Sequence, residues 1–233
     1  MKKIGIFLFL MTLAIGLVVS NIFSFGRVSG DFFNFSFNFK GVKGSGVMTT
    51  EKRDLSDFNA VDVGGIFQVE ITTQKDFGVE IEADDNLTGY IKTEVRNGVL
   101  RIRTEKKIST RNAIRVRISA PAIDRLEVSG AAKVNVVDLK ESELTIDSSG
   151  ASKVTATGEA AKLIVDVSGA SKIDAGGLQA ASAVVDASGA SHVSVNVTGE
   201  LRSDASGASK VTYSGTPANL VTKTSGAAKV SAK

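Results

Sequence analysis

The sequence predicts an all-β protein, a single-stranded parallel β-helix built from coils of roughly 19 residues. The first observation is a hexapeptide, Ser-Gly-Ala-(Ala/Ser)-Lys-Val in most of its copies, that occurs six times between residues 129 and 230. A repeat with one glycine always at the same phase indicates one structural unit stacked on itself. The glycines follow one another at intervals of 20, 19, 20, 18 and 19 residues: Gly130, Gly150, Gly169, Gly189, Gly207 and Gly226.

The second observation is an alternation of apolar and polar residues on both sides of each glycine. Before the third glycine, for example, Leu163, Val165 and Val167 alternate with Ile164 and Asp166. A period of two is typical of a strand and not of a helix. Each repeat therefore contributes two short strands with Ser-Gly-Ala at the bend between them, and a third segment leads to the next repeat.

The length of the repeat fits one circuit of a small triangular coil. About 19 residues at roughly 3.3 Å each extend about 60 Å, and stacked coils pair in parallel about 4.8 Å apart. Equivalent residues then form ladders along the outside. Glycine suits the tight bend because it adopts backbone angles that a β-carbon forbids. The varying period favours a right-handed β-helix, because a left-handed one would follow strict hexapeptide thirds.

Strands without the repeat signature precede the first hexapeptide. Asn97-Gly98 lies between two alternating runs and predicts a two-residue hairpin. Gly64-Gly65 resembles a degenerate copy of the repeated bend. The predicted strands are 60–63, 67–72, 79–83, 91–95, 99–104 and 114–120.

The composition excludes several kinds of chemistry. The chain has no cysteine, which excludes disulfides, thiolate zinc sites and cysteine nucleophiles. It has one histidine and no G-x-S-x-G motif, so a serine nucleophile has no apparent catalytic partner. We therefore expect no enzymatic activity, no cofactor and no metal.

The first 25 residues predict a signal peptide or an N-terminal membrane anchor. Met1-Lys-Lys precedes an apolar run that extends from Ile4 to Phe25. Two interpretations remain open: cleavage after small residues near Ser20, or an uncleaved span, since 22 residues are enough to cross a bilayer. In both cases the rest of the chain is exported to the periplasm or surface of a bacterium.

The sequence divides the exported part into two segments. Residues 26–57 predict a linker or initial strand, and residues 58–233 the β-helix domain. Within the first segment, residues 32–39 alternate phenylalanine with polar residues over most of their length. They are either an initial strand that covers the open end of the core or a strand for a membrane interface or partner.

Several blocks of residues resemble a known bacterial family. These are Phe58 to Ile71, Val79 to Leu87, Ile91 to Ile102 and the Leu-x-Val-Ser-Gly-Ala opening at Leu126. In this order they are similar to the head GIN domain of auto-transporter adhesins, over roughly residues 50–230. The resemblance implies a β-helical, extracytoplasmic domain that acts in adhesion or surface interaction, and it supplies no catalytic residues.

Two charged ladders follow from the repeat. Aspartates occur three residues before four of the glycines: Asp147, Asp166, Asp186 and Asp204. Paired carboxylates about 5 Å apart serve retaining glycosidases, but a row of equivalent carboxylates lacks the required asymmetry. A second reading is that each aspartate accepts backbone N–H bonds at the bend. Calcium binding is a third, although the known calcium repeats are half as long.

Lysines occur three residues after five of the glycines, and a histidine takes the remaining place. The members of this row are Lys133, Lys153, Lys172, His192, Lys210 and Lys229. The simplest interpretation of His192 is one more solvated polar residue, because metal or catalytic work needs partners that no other histidine or cysteine supplies.

A basic cluster between residues 92 and 117 is the most distinctive feature outside the repeats. Its nine cations and two glutamates give a net charge of +7, against +3 for the whole chain. The i, i+2 spacing of its arginine pairs puts each pair on one strand face. Such a face predicts binding of anionic glycans or lipid phosphates, although it is also what protects a sheet edge from aggregation. The candidate anion-binding residues are Arg101, Arg103, Lys106, Lys107, Arg115 and Arg117.

The sequence therefore predicts an exported, non-enzymatic binding or adhesion module. Expected partners are a cell-surface or cell-wall glycan, an anionic lipid or an envelope protein, with membrane attachment through the N-terminal segment and no nucleic acid. Two other classes stay open, a structural or envelope-stress scaffold that acts through protein partners and a polysaccharide-active β-helix enzyme.

Overall fold

The structure, a computed structural model, describes residues 41–233. The predicted signal peptide or anchor and the phenylalanine-rich stretch lie outside the described residues. Residues 41–233 lie in one compact unit. No helix between residues 41 and 233 is long and apolar enough to cross a membrane.

The described residues contain strands and one short 3-10 turn at Thr88–Tyr90. The strands are β1 (Val42–Lys43), β2 (Met48–Arg53), β3 (Ala60–Gly65), β4 (Gln68–Thr72), β5 (Gly78–Asp84), β6 (Ile91–Arg96), β7 (Val99–Thr104), β8 (Ile108–Ser109), β9 (Arg115–Ser119), β10 (Arg125–Gly130), β11 (Lys133–Ser148), β12 (Lys153–Val167), β13 (Lys172–Ala187), β14 (His192–Ala205), β15 (Lys210–Ser214), β16 (Asn219–Thr224) and β17 (Lys229–Ala232). This content confirms the predicted all-β class and the six strands expected before the repeats.

The strands of the repeats stack in parallel and form a β-solenoid. Long strands such as β12 and β13 continue from one side of the coil to the next, and they pair along most of their length. The strands that precede each glycine form a first face: β7, β3, β10, the ends of β11 to β14, and β16. Those that follow the glycine form a second face: β9, β4, the starts of β11 to β14, β15 and β17. The parallel β-helix is thus confirmed, and its right-handedness stays a prediction.

The repeated glycines form the corner between the first and second faces. At Gly169 the backbone has φ +75°, and a β-carbon there would lie 2.5 Å from the carbonyl oxygen of Gly150 in the coil before. The residue that follows binds the same oxygen, with the Ala170 nitrogen 2.8 Å away. Glycine is required at this position for two reasons, the left-handed backbone and the close approach of the neighbouring coil.

The coils before the repeats are not stacked in the order of the sequence. On the first face β3 lies between β7 and β10, and on the second face β4 lies between β9 and β11. Residues 99–119 therefore form the outermost coil although they follow β3 and β4 in the chain. Gly65 has φ +137° and pairs with Gly130, which confirms that Gly64-Gly65 is a copy of the repeated bend.

Antiparallel strands flank the outermost coil. β6 pairs with β7 through the Asn97-Gly98 turn, where both residues have positive φ, as the predicted hairpin requires. β5 pairs with β9, and β2 pairs in turn with β5. The open edges of this end are thereby covered, which is one way in which proteins keep a sheet from pairing with other molecules.

The core is a narrow apolar column that runs along the solenoid axis. It is wide at the first coils, where Phe67, Ile71 and Ile81 are fully buried, and narrow in the repeats, where valine and alanine prevail. Serines are buried beside the corners: Ser152, Ser171, Ser191 and Ser209. The regular core leaves the outward-facing side chains as the residues that are free to act on other molecules.

Candidate functional site

The acidic side chains of the first face form one continuous ladder. The sheet register aligns the four predicted aspartates and extends the row by Asp62 and Glu127. Neighbouring strands lie about 4.8 Å apart, which sets the spacing of the carboxylates. We name this row the acidic ladder: Asp62, Glu127, Asp147, Asp166, Asp186 and Asp204.

The aspartates of the acidic ladder do not accept hydrogen bonds from the backbone of the bends. No backbone N–H of the described residues donates to Asp166, Asp186 or Asp204, and the corners are closed by backbone bonds between coils. The reading that each aspartate caps its own bend is therefore wrong. Burial, together with the charges of Asp147 and Asp186, raises the pKa of Asp166. Like charges stacked at this spacing disfavour one another's ionised form.

The basic side chains of the second face form a matching row, with the register Lys133, Lys153, Lys172, His192, Lys210 and Lys229. We name this row the lysine ladder. Its lysines are exposed, and within residues 41–233 no carboxylate lies at ion-pair distance from any of them. Partial burial, followed by the charges of Lys210 and Lys172, lowers the pKa of His192. The row is thus a line of five exposed lysines, none of them ion-paired among the described residues, interrupted by His192, on whose pKa the charge of Asp174 acts in the opposite direction.

Small polar residues and one carboxylate, that of Asp174, accompany the lysine ladder. The next outward column of the second face carries Asn135, Thr155, Asp174, Ser194, Thr212 and Ser231. Two of these hydroxyls bond across coils, since the Ser194 and Thr212 oxygens are 3.0 Å apart. The second face therefore offers hydrogen-bonding groups directly beside its row of cations.

The arginines of the basic cluster lie on two different faces. Arg101 and Arg103 belong to β7 on the first face and both approach Asp62, whose side chain is only 10% exposed. The Arg103 Nη2 atom is 2.5 Å from the Asp62 Oδ2 atom. The Nε atom of Arg101 is buried without a hydrogen-bond partner. This pair of arginines thus closes the acidic ladder at one end.

Arg115 and Arg117 belong to β9 on the second face, where they meet glutamates of β5. Arg115 Nη1 is 3.0 Å from Glu82 Oε1, and Arg117 bonds Glu80 and Glu82 at 2.9 and 3.0 Å. These hydrogen bonds, that of Glu80 first, raise the pKa of Arg117. Sequence reasoning missed the glutamates, although their own i, i+2 spacing matches that of the arginines.

The remaining residues of the basic cluster have varied partners. The Lys106 ammonium lies 4.7 Å from the centroid of the Tyr90 ring, and the Lys107 carbonyl accepts a bond from the Val42 nitrogen. Lys92 and Arg96 each form an ion pair, with Glu105 and Glu94. Anion binding by this cluster stays a prediction, and its arginines would have to exchange carboxylates for a ligand.

Asp84 is a second feature that the sequence did not reveal. Its side chain is buried and accepts bonds from Thr110, Asn112 and the Gly46 nitrogen. These bonds, that of Thr110 first, lower the pKa of Asp84 against the opposing effect of burial. The carboxylate ties together three loops at the edge of the first coils. We interpret it as a structural group because its oxygens are already occupied by protein donors.

The arrangement favours binding over catalysis. The acidic ladder stacks carboxylates in one row, and the chain's one histidine lies on the other face, between two lysines of its own row. Between residues 41 and 233 no three histidine or acidic side chains are placed to hold a metal ion. A hollow of about 430 Å³ follows the acidic ladder and is lined by Asp62, Arg103, Arg125, Asp147 and Asp166, among others.

Comparisons with solved structures agree with this architecture. A protein from Bacteroides fragilis described as a putative adhesin is 19% identical, with a TM-score of 0.67, over 83% of this chain and all of that one. A putative adhesin from Parabacteroides distasonis is 21% identical, with a TM-score of 0.66 over the same shares. Another protein of that organism, described as a putative lipid binding protein, is 18% identical, with a TM-score of 0.51, over 83% of this chain and all of that one. At these identities the likeness shows the fold alone.

A family match completes the comparison. No curated protein sequence matches the chain. Residues 57–217 match the family described as "Putative auto-transporter adhesin, head GIN domain". This match covers more than half of the chain and confirms the resemblance seen in the sequence. The chain belongs to this head GIN domain family.

Proposed function

We propose that the chain is an extracytoplasmic, non-enzymatic binding module that holds an anionic polymer of the cell surface or cell wall on its second face. The observation that carries this proposal is the lysine ladder, a row of five exposed lysines and His192 in which no lysine forms an ion pair with a carboxylate of the described residues. The adhesin description of the family and the predicted export segment support an extracytoplasmic site of action.

A straight row of charges suits a linear ligand better than a compact one. A single anion would contact one or two rungs, and each exposed ion pair contributes only about 0.2–1 kcal/mol. An extended polyanion would contact most rungs together, so the small contributions add up along one molecule. The hydroxyl and amide groups beside the ladder would meet the ligand's own polar groups. A glycan with regularly spaced carboxylates meets both requirements.

The basic cluster is the second candidate site for the same ligand class. Arg115 lies in the same column as the lysine ladder, separated from Lys133 only by Gln68. An anionic chain on the second face could therefore continue onto β9. The proposed contribution of Arg101 and Arg103 concerns the opposite side of the corner, beside Asp62. The two halves of the cluster can be tested separately.

The experiment measures binding of the full-length protein, in a neutral detergent, to polygalacturonate. The neutral methyl ester of the same polymer serves as the matched ligand. Replacing Lys133, Lys153 and Lys172 with glutamine removes three rungs and should weaken binding by roughly tenfold. Replacing Lys43, Lys75 and Lys140 with glutamine changes the net charge equally but leaves the ladder intact, and it should change binding little.

Further arms separate the alternatives. Arg115→Ser with Arg117→Ser tests the extension along β9, and Arg101→Ser with Arg103→Ser tests the other half of the basic cluster. Vesicles of phosphatidylglycerol replace the polymer to test an anionic lipid. Equal binding of the acidic polymer and its methyl ester, or equal losses in the two lysine triples, would contradict the proposal and favour a scaffold that acts through protein partners.

A further inference from the structure

Five of the six repeats carry one acid and one basic side chain at fixed places on the two sides of the corner, and the last has Lys223 in the place of the acid. In the coil of Gly169, Asp166 comes three residues before the glycine and Lys172 three residues after it. The same strands set the spacing of both rows, because β11 to β14 contribute to both faces. The acidic ladder and the lysine ladder therefore have the same pitch, about 4.8 Å per rung.

The two ladders do not neutralise each other within one molecule. Over the described residues no ion pair joins them. The ion pairs of the acidic ladder involve arginines at its beginning: Arg101 and Arg103 with Asp62, and Arg125 with Glu127 and Asp147. Asp166, Asp186 and Asp204 have no cationic partner at ion-pair distance among residues 41–233. In the described part of the chain the acidic ladder thus lacks an ion-paired cation from Asp166 to Asp204, after which Lys223 follows in the same row, and the lysines of the lysine ladder lack an ion-paired carboxylate.

We propose that the first face of one copy docks on the second face of another copy, so that the acidic ladder lies along the lysine ladder. Identical pitch brings each acidic rung opposite one rung of the lysine ladder. Because the rungs from Asp62 to Asp147 already pair with arginines of their own chain, the new ion pairs come from Asp186 and Asp204, while Asp166 faces His192. When the copies lie parallel and are displaced by one coil, the six acidic rungs from Asp62 to Asp204 face the six rungs from Lys133 to Lys229. Charge complementarity of this kind both steers and aligns association.

The first face has an apolar strip that fits a docking role. Ile164 and Val184 point outward beside Asp166 and Asp186 and are half-buried in the single chain. Apolar groups at the centre of a polar surface are typical of the buried core of an interface. A second copy would remove them from water, which a hydrated polymer or a soluble cation would not do.

This contact joins two different surfaces, and each docked copy keeps one face free. Such a heterologous contact repeats and gives rows or rings of copies instead of a closed pair. The predicted assembly is therefore a lateral array of solenoids. It competes with the polymer-binding role, because both occupy the lysine ladder, and excess polygalacturonate should dissolve the array if both proposals hold.

Energy transfer between labelled copies tests the inference. The chain has no cysteine, so Ser142→Cys takes one donor or acceptor dye per full-length molecule in neutral detergent. Ser142 is exposed and lies within β11, between the part of that strand on the second face and the part on the first face. Transfer is expected at an ionic strength of about 0.01 M, where the Debye length is about 30 Å, and should fall at least tenfold at about 1 M, where it is about 3 Å. Absence of transfer at low ionic strength would overturn the inference.

Charge reversal identifies the two faces. Asp147, Asp166 and Asp186 changed to lysine give a molecule with two basic faces, and Lys133, Lys153 and Lys172 changed to glutamate give one with two acidic faces. Neither variant should associate with itself. In their mixture, the unchanged acidic ladder of the second variant can dock on the unchanged lysine ladder of the first, so energy transfer should return. A control with Lys43, Lys75 and Lys140 changed to glutamate should associate like the unmodified chain.

The remaining outcomes also decide the question. Undiminished self-association of either reversed variant would show that other surfaces are in contact. If both reversed variants have native circular dichroism but their mixture shows no energy transfer, the proposed docking would likewise be contradicted. Polymer binding without energy transfer would leave the proposed function standing and overturn only this inference, and energy transfer without polymer binding would do the reverse.

Discussion

The corner glycines combine two requirements that can be separated by substitution. Gly169 has a positive φ and no room for a β-carbon, Gly46 has a positive φ with nothing within 4 Å, and Gly89 has neither constraint. We expect Gly89→Ala to change the free energy of unfolding little and Gly46→Ala to lower it by about 1–2 kcal/mol. Gly169→Ala should lower it by about 3 kcal/mol or more, because a clash with the backbone of the preceding coil is added.

Urea denaturation of the three variants measures this series. The order Gly89, Gly46, Gly169 is the essential result, since it separates the backbone conformation from the approach of the coils. A similar loss for Gly46→Ala and Gly169→Ala would mean that the coils can move apart at the corner.

Asp84 predicts a dependence of stability on pH. Its pKa is lowered in the folded protein, with the bond from Thr110 as the leading cause. The ionised carboxylate therefore stabilises the fold above the ordinary aspartate pKa of about 3.9, and this contribution is lost as the pH falls through the folded-state pKa. Asp84→Asn should lower the urea midpoint at neutral pH and lose this difference in acid.

The control for this comparison is Asp54→Asn. Asp54 is exposed, so the change removes the same charge without removing the contacts between loops. A constant difference between Asp84→Asn and the unmodified chain from neutral pH to pH values below the folded-state pKa would show that packing, and not ionisation, explains the loss.

At the scale of the strands, side-chain alternation decides where a truncation matters. In β12 Leu163 is fully buried and its neighbour Ile164 points outward and is half-buried. Leu163→Ala should lower the free energy of unfolding by about 2–5 kcal/mol, because a cavity remains in a core that cannot close. Ile164→Ala should change it by about 1 kcal/mol or less. Thermal or urea unfolding tests the pair, and equal losses would contradict the assigned faces.

The repeated strands could be predicted because their signals are local. Period-two alternation and the phase of the glycines lie within a single repeat, and even the divergent bend at Gly65 keeps the signature. The stacking order of the first coils could not be predicted. Nothing in residues 99–119 distinguishes a coil placed outside β3 and β4 from one placed after them, because both arrangements satisfy the same alternation.

The candidate site, too, could be predicted only in part. The lysine ladder follows from the repeat, whereas the ion pairs of the basic cluster depend on which strands meet. Arg115 and Arg117 are paired because β5 runs antiparallel to β9 and brings Glu82 and Glu80 opposite them. Counting charges along the chain gives the net charge of such a cluster. It does not show which of the cations form ion pairs, because that depends on strands that are far apart in the sequence.

For the molecule as a whole, a linear stack predicts a gradient of stability. Each coil contacts mainly its neighbours, so local opening needs to break only the contacts beyond a given point. At the last coil β16 pairs only with β14 and β17 only with β15, and most of their side chains are exposed. At the other end β5 and β6 cover the outermost coil through antiparallel pairing. Opening should therefore begin at β16 and β17.

Amide hydrogen exchange of the chain measures this gradient. We expect the amides of β16 and β17 to exchange first, with protection rising through β14 and β13 to β12. Leu163→Ala should reduce protection most in β11 to β13 and leave β3 and β4 nearly unchanged, because they lie nearer the covered end. Uniform protection from β3 to β17 would instead mean that the solenoid opens as a single unit, in which case the core column, and not contact between neighbouring coils, sets its cooperativity.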